Sequence, residues 1–214
     1  MKVGILGSGV VAQSLAAGFL RHGHEVMLGS REKSKLAAWA TANPTAKTGS
    51  FAEATRFGEI LVLAVKGSAA AEALRLAGAA DLAGKIVIDT TNPIAEAPPV
   101  NGVLKFFTNL EVSLLEQLQR EFPAAHLVKA FNSVGNAWMV NPEFPDGPPT
   151  MFICGNHDPA RRAVAEIVRQ FGWEVADMGS AEAARAIEPL CMLWCIPGLR
   201  QNEWAHAFKL LRRA

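Results

Sequence analysis

Short runs of apolar and β-branched residues alternate along the chain with stretches whose apolar positions recur every three or four residues. The runs are Lys2 to Leu6, Glu25 to Leu28, Ile60 to Val65, Ile86 to Asp89, Leu127 to Phe131, Met151 to Cys154 and Glu174 to Ala176, and each predicts a strand. Between them Val11, Leu15 and Phe19 share one helical face, and Val164, Ile167, Val168 and Phe171 share another. Strands that alternate with helices predict parallel pairing through right-handed crossovers. The run from Ile60 to Val65 is apolar throughout, which suits a sheet covered on both faces. The expected fold class is α/β, a doubly wound and mostly parallel sheet.

Two stretches break this rhythm. Glu96 to Lys105 holds Pro98-Pro99 and Gly102, and Asn141 to Pro149 holds Pro142, Pro145, Gly147 and Pro148, so both read as loops over a sheet edge. From Glu182 the helical pattern returns, with Ile187, Leu190, Met192, Leu193 and Trp194 gathered before Pro197-Gly198. The expected organisation is a nucleotide-binding domain over residues 1–180. A helical C-terminal segment over 181–214 would pack on that domain or on a second subunit.

The run from Val3 to Leu20 is broken by Gly7-Ser8-Gly9 and Gln13-Ser14, so it lacks the apolar block of about 7 to 15 residues that a secretory signal needs. No run reaches the roughly 18 apolar residues of a membrane span. The 21 Lys and Arg against 20 Asp and Glu leave a net charge of +1, too little field to hold a nucleic acid backbone or an anionic membrane. Cys154, Cys191 and Cys195 show no paired ligand spacing, and neither do the five histidines, so a reduced, cytoplasmic protein without a metal centre is expected. Cys191 and Cys195, four apart on a predicted helix, read as apolar packing. No Gly-x-Ser-x-Gly elbow is present to supply an acyl-transfer nucleophile.

The sharpest motif is Gly7-Ser8-Gly9-Val10-Val11-Ala12, which follows the first strand and opens a helix. Gly7 permits the tight turn, Gly9 lets backbone N–H groups approach a pyrophosphate, and Ala12 lets the helix pack close on the strand. With a strand before, a helix after and a second strand near Val26, this predicts the phosphate loop of a dinucleotide-binding Rossmann fold, the alternative being a plain glycine turn. An NAD enzyme places Asp or Glu at the end of the second strand to hold the ribose hydroxyls. Here the chain reads Leu28-Gly29-Ser30-Arg31 instead. A guanidinium donates paired hydrogen bonds to a 2′-phosphate and Ser30 can donate to it as well, so NADP is the expected cofactor, with Lys35 as an added charge.

Ligands of open α/β sheets bind beyond the carboxyl ends of the strands. Three such segments follow: Ala64-Val65-Lys66-Gly67, Asp89-Thr90-Thr91-Asn92-Pro93, and Lys129 to Asn136. From these, Ala64, Val65, Lys66, Asn92, Pro93, Asn132, Ser133, Val134 and Gly135 join Gly7, Ser8, Gly9, Val10, Val11, Ser30, Arg31 and Lys35 as candidate cofactor contacts. The competing reading makes Asp89, Asn92 and Asn132 turn formers with locally satisfied side chains.

On Gly7 to Ala12, the Gly-His-Glu-Val turn at 23–26, Gly29-Ser30-Arg31, Lys129-Ala130-Phe131-Asn132 and the closing helical segment, the chain resembles the NADPH-dependent deazaflavin reductases. These are NADP oxidoreductases that use coenzyme F420, and the cytoplasmic domain of ferric-reducing membrane proteins is similar to them. The resemblance implies a homodimeric oxidoreductase passing hydride between nicotinamide C4 and C5 of a deazaflavin or flavin-like acceptor, with Asn132 to Gly135 bordering both rings. It implies no catalytic side chain, because holding two rings together carries most of such a reaction. Lys66-Gly67 departs from the proline-containing loop of that family, which touches the identity of the acceptor. An NADP-binding sensor or partner protein without turnover, and a dehydrogenase of a small carbonyl compound, are the alternatives.

Overall fold

The computed structural model describes residues 1–213. In chain order the elements are β1 (Lys2–Leu6), α1 (Val10–Arg21), β2 (Glu25–Gly29), α2 (Ala37–Ala42), β3 (Lys47–Gly49), α3 (Phe51–Phe57), β4 (Ile60–Leu63), α4 (Ala70–Ala77), α5 (Ala79–Leu82), β5 (Ile86–Asp89), α6 (Leu114–Glu121), β6 (His126–Lys129), β7 (Thr150–Ile153), α7 (Asp158–Gln170), β8 (Glu174–Asp177) and α8 (Ala184–Gln201). β1 to β6 form one parallel sheet in the order β3-β2-β1-β4-β5-β6. This is the doubly wound order, in which the chain reverses direction across the sheet on either side of β1.

Successive strand residues point to opposite faces, and both faces are dry. Val3, Ile5, Val26, Leu28, Val62, Ile88 and Val128 meet Leu15 and Phe19 of α1 and Val164 and Ile167 of α7. Leu6, Leu61, Leu63, Val87 and Leu127 meet Ala54 of α3, Leu74 of α4, Leu115 and Leu118 of α6 and Ile187 of α8. The continuous apolar run of β4 follows from this, since all four of its residues are buried.

Three features differ from the pattern reading. β3 was not foreseen: Lys47-Thr48-Gly49 is a three-residue edge strand with no apolar alternation to betray it. β7 and β8 pair only with each other and touch the main sheet at one antiparallel bridge, Lys129 with Cys154. Phe131 in the left-handed region (φ 59°) turns the chain out of strand geometry two residues after β6, so no longer ladder forms. The C-terminal segment is helical only as far as Gln201. Asn202 takes the left-handed cap conformation, and the tail then meets the start of β7, where the Thr150 N–H donates to the Phe208 carbonyl at 2.9 Å.

Candidate functional site

At the carboxyl end of β1 the chain turns at Gly7, where φ is +153°. The Gly7 N–H donates to the Gly29 carbonyl at 3.0 Å, and a Cβ at Gly7 would fall inside the Ala64 carbonyl oxygen. Only glycine fits there. Gly9 then begins α1 with an extended backbone, no side-chain cap and no acidic residue in the first turn. A Cβ at Gly9 would meet nothing within 4 Å, so the helix N-terminus opens onto free space. Its unpaired N–H groups carry the positive end of the helix dipole and suit a phosphate. Gln13 Nε2 donates to the Ser8 carbonyl at 2.9 Å and steadies the loop.

That free space belongs to a cleft of about 870 Å³. Ser8, Gly9, Val10, Val11, Arg31, Ala64, Val65, Lys66 and Asn92 line it, so nine of the expected contacts share one cavity. Arg31 is exposed and has no carboxylate partner among the described residues. Gly7 lies just behind the wall as its turn. On the far side of β1, the Gly67 backbone approaches the Asn92 carbonyl so closely that any Cβ would collide with it. Ile94 to Ala97 form the outer lip, and Lys66 reaches Glu96 across it at 3.8 Å.

Other expected contacts lie elsewhere. Ser30 is buried, and its Oγ accepts the Glu32 N–H at 3.2 Å, which shapes the turn and leaves Arg31 facing the cleft alone. Lys35 pairs with Glu32 at 3.0 Å on the exposed surface. Pro93 and Asn132, Ser133, Val134 and Gly135 do not line the cavity. Asn132 is 3% exposed: its Nδ2 donates to the Ile187 carbonyl at 3.0 Å and to Asn92 Oδ1 at 3.1 Å, while Asn92 Nδ2 donates to the Asn132 carbonyl at 2.8 Å. Ser133 and Val134 are buried, and a Cβ at Gly135 would stand 2.7 Å from Cη2 of Trp194. The surface expected to border the rings is thus covered by this chain's own α8. Asp89 accepts from the nearby Thr91, whereas the partners of Asn132 are remote, Asn92 and Ile187, and the indole over Gly135 lies some sixty positions away.

Thr90, Thr91, Gly67, Ser68, Ala69, Glu72, Ala73 and Phe51 line the cleft without having been singled out as contacts. Thr90, Thr91 and Gly67 sit in segments whose polar strand-end character was visible. Phe51 had no such signal, because it follows the unforeseen β3.

Beneath Thr91 lies a fully buried ion cluster. Lys129 Nζ contacts Asp89 Oδ2 at 2.7 Å and Glu188 Oε1 at 3.0 Å and donates to the Thr91 carbonyl at 2.8 Å. Burial pulls the Lys129 ammonium down, and the two carboxylates outweigh it and leave its pKa above the ordinary lysine value. Burial pushes the nearby Cys154 thiol up to about 12. The contact with Cys195, then burial, raise Cys191, and the same contact lowers Cys195. Among the described residues no group of three or more His, Cys, Asp or Glu gathers as metal ligands, and no helix is long and apolar enough to cross a membrane.

A doubly wound sheet with an open glycine turn and a bare helix start at its switch point defines the dinucleotide-binding Rossmann class. The chain belongs to the family described as NADP oxidoreductase coenzyme F420-dependent, whose model matches residues 2–93. It is 32% identical to a protein of Arthrobacter sp. FB24 provisionally described as an F420-dependent NADP reductase, whose crystal structure it matches over 99% of this chain and 100% of that one, with a TM-score of 0.92. It is also 35% identical over 202 residues to the metalloreductase STEAP3 of Rattus norvegicus, covering 92% of this chain and 38% of that protein. The chain thus spans less than two-fifths of that relative. An imine reductase of Streptomyces aurantiacus shares the fold, with 17% identity over 93% of this chain and 63% of that one and a TM-score of 0.70.

Proposed function

We propose that the chain is an NADP(H)-dependent oxidoreductase that exchanges hydride between the nicotinamide and a flat deazaflavin or flavin-like acceptor. The observation that carries it is the pairing, in one cleft, of an open, uncapped Gly9 helix start with an Arg31 that has no carboxylate partner among the described residues. In this reading the pyrophosphate lies on the α1 N–H groups and Arg31 takes the 2′-phosphate. The nicotinamide then falls on the other side of β1, over Thr90 to Asn92.

The coenzyme supplies the hydride from nicotinamide C4. The chain contains no tyrosine, and no histidine lines the described cleft, so the protein offers neither of these familiar proton donors for a carbonyl product. A deazaflavin that takes hydride at C5 can take its proton at N1 from water, which suits such a lining. With Asn132 to Gly135 covered, the acceptor's place is the outer side of the nicotinamide, against the lip at Ile94 to Ala97. Ile94 is 37% exposed there. The family description supports a deazaflavin, and the 35% identity to a metalloreductase supports the broader statement of NADPH oxidation.

A second copy of the chain fits the exposed apolar side chains Leu193 and Leu199 of α8 and Val100 and Val103 of the adjoining loop, where Gly102 packs on Arg200. Light scattering at micromolar concentration checks this, and a monomeric mass excludes it. The reaction is tested by following NADPH oxidation by absorbance with coenzyme F420, FMN, FAD, ferric chelates and simple carbonyl compounds as acceptors. Turnover with coenzyme F420 or a flavin is expected. Turnover of a carbonyl alone refutes the acceptor class, and NADPH binding without any turnover favours a sensor.

A further inference from the structure

One turn of α8 reaches the floor of the cleft by two routes. Glu188 Oε1 meets Lys129 Nζ at 3.0 Å, and the same ammonium holds the Thr91 carbonyl at 2.8 Å and Asp89 at 2.7 Å. Asp89 Oδ1 in turn accepts the Thr91 N–H at 2.9 Å and the Thr91 hydroxyl at 2.7 Å. Three of Thr91's polar groups are therefore fixed by this cluster. The neighbouring route runs from the Ile187 carbonyl through Asn132 to Asn92. Thr91 and Asn92 both line the cleft.

The cluster is an expensive way to hold a helix in place. Lys129 and Asp89 are fully buried and Glu188 is 1% exposed, and well-packed apolar residues commonly replace such ions with no loss of stability or with a gain. What an apolar cluster cannot do is point a carbonyl, an amide and a hydroxyl of one residue in set directions. Glu188 also accepts the N–H groups of Leu114 (3.0 Å) and Leu115 (3.0 Å), so its carboxylate is anchored at the start of α6 as well. Lys129 Nζ has three polar neighbours, one hydrogen-bonded carbonyl and two carboxylates at ion-pair distance. Polar contacts thus run without a break from α8 to the cleft.

We propose that α8 is a positioning element of the cofactor cleft: Glu188, acting through Lys129, and the Ile187 carbonyl, acting through Asn132, set Thr91 and Asn92 under the nicotinamide half of the dinucleotide. This rests on the NADP reading above. Lys129 and Glu188 are positioning residues, since neither touches the cleft. Their effect is confined to one half of the ligand, because the α1 start and Arg31 receive no bond from α8.

The test titrates the full chain and its Glu188→Ala and Glu188→Gln variants with NADPH and with 2′-phospho-ADP-ribose, which has the same adenosine end and no nicotinamide. Glu188→Ala is expected to weaken NADPH about tenfold while 2′-phospho-ADP-ribose changes by less than about twofold. Glu188→Gln should lie between, because an amide oxygen still accepts from Lys129. This variant also carries the test if far-UV circular dichroism shows Glu188→Ala unfolded. Equal losses for both ligands, or none for either, overturn the proposal. An unmutated chain that binds neither ligand overturns the NADP reading itself, and this inference with it.

Discussion

Gly9 and Gly135 stand at strand ends in segments that look alike in sequence: small, polar, and placed right after a buried strand. The first opens on a cleft and the second is sealed by an indole. A Cβ at Gly9 meets nothing within 4 Å, whereas at Gly135 it would stand 2.7 Å from Trp194. The difference does not come from either loop. Gly9 is followed by a helix whose own start must stay bare for its dipole to be useful, while Gly135 lies under α8, which Glu188 and Ile187 lock onto the sheet. A strand-end loop is a ligand surface only where no distant segment of the same chain has claimed it.

The contrast breaks most severely at Gly7, which shapes the open loop. Gly7→Ala drives a Cβ into the Ala64 carbonyl, a backbone atom that cannot swing away, at a φ few side chains adopt. A loss of about 3 kcal/mol in stability is expected, together with loss of NADPH binding. Chemical denaturation and cofactor titration check it, and an unchanged midpoint would show that the turn is not held as described. Arg31→Glu comes next. Losing a charge-assisted contact and placing a carboxylate at the 2′-phosphate should weaken NADPH by about 1.5 to 3 kcal/mol, roughly ten- to a hundredfold, and leave NADH nearly unaffected. Fluorescence titration measures both, and equal affinities for NADPH and NADH in the unmutated chain count against Arg31 as the discriminator.

The open half of the contrast was legible because its signals are local. Gly7, Gly9 and Ala12 lie within six residues of one another in a single strand-turn-helix pattern, and Arg31 stands two residues beyond the end of β2. The parallel sheet was legible for the same reason, since a strand buried on both faces has to read as Ile60 to Leu63 does. The closed half was illegible because its causes are remote. Nothing near Asn132 tells of Ile187, and nothing near Lys129 tells that a lysine at the end of an apolar strand meets Asp89 and Glu188 inside the protein. Phe51 escaped notice because Lys47 to Gly49 forms a strand through its neighbours' hydrogen bonds and not through its own pattern.

Gly135→Ala sharpens the contrast on its closed side. The added methyl presses on Trp194, whose Nε1 is tied to the His206 carbonyl at 2.8 Å, so the ring cannot easily retreat. Overpacking of this kind costs about 1 to 2 kcal/mol. A lower melting temperature with an NADPH dissociation constant within about twofold of the unmutated value is expected. A variant that melts normally yet loses cofactor would return Gly135 to the ligand surface.

Lys35→Ala separates proximity in sequence from presence in the site, and here the smallest effect is expected. Lys35 stands four residues beyond Arg31, where a second cation would strengthen a phosphate pocket. Its ammonium instead pairs with Glu32 at 3.0 Å, with the two side chains 56% and 60% exposed. An exposed pair of this kind contributes roughly 0 to 0.5 kcal/mol, because water screens it and the long side chains lose freedom in forming it. The short helical turn from Lys33 to Leu36 is anchored by Leu36, which is fully buried, and Lys35 takes no part in that anchor. Neither the melting temperature nor the NADPH affinity should therefore change beyond the scatter of the measurement, and NADPH over NADH selectivity should persist. If instead the affinity for NADPH falls severalfold while that for NADH holds, Lys35 must leave Glu32 for the 2′-phosphate when cofactor binds. The cation site would then be shared between Arg31 and Lys35.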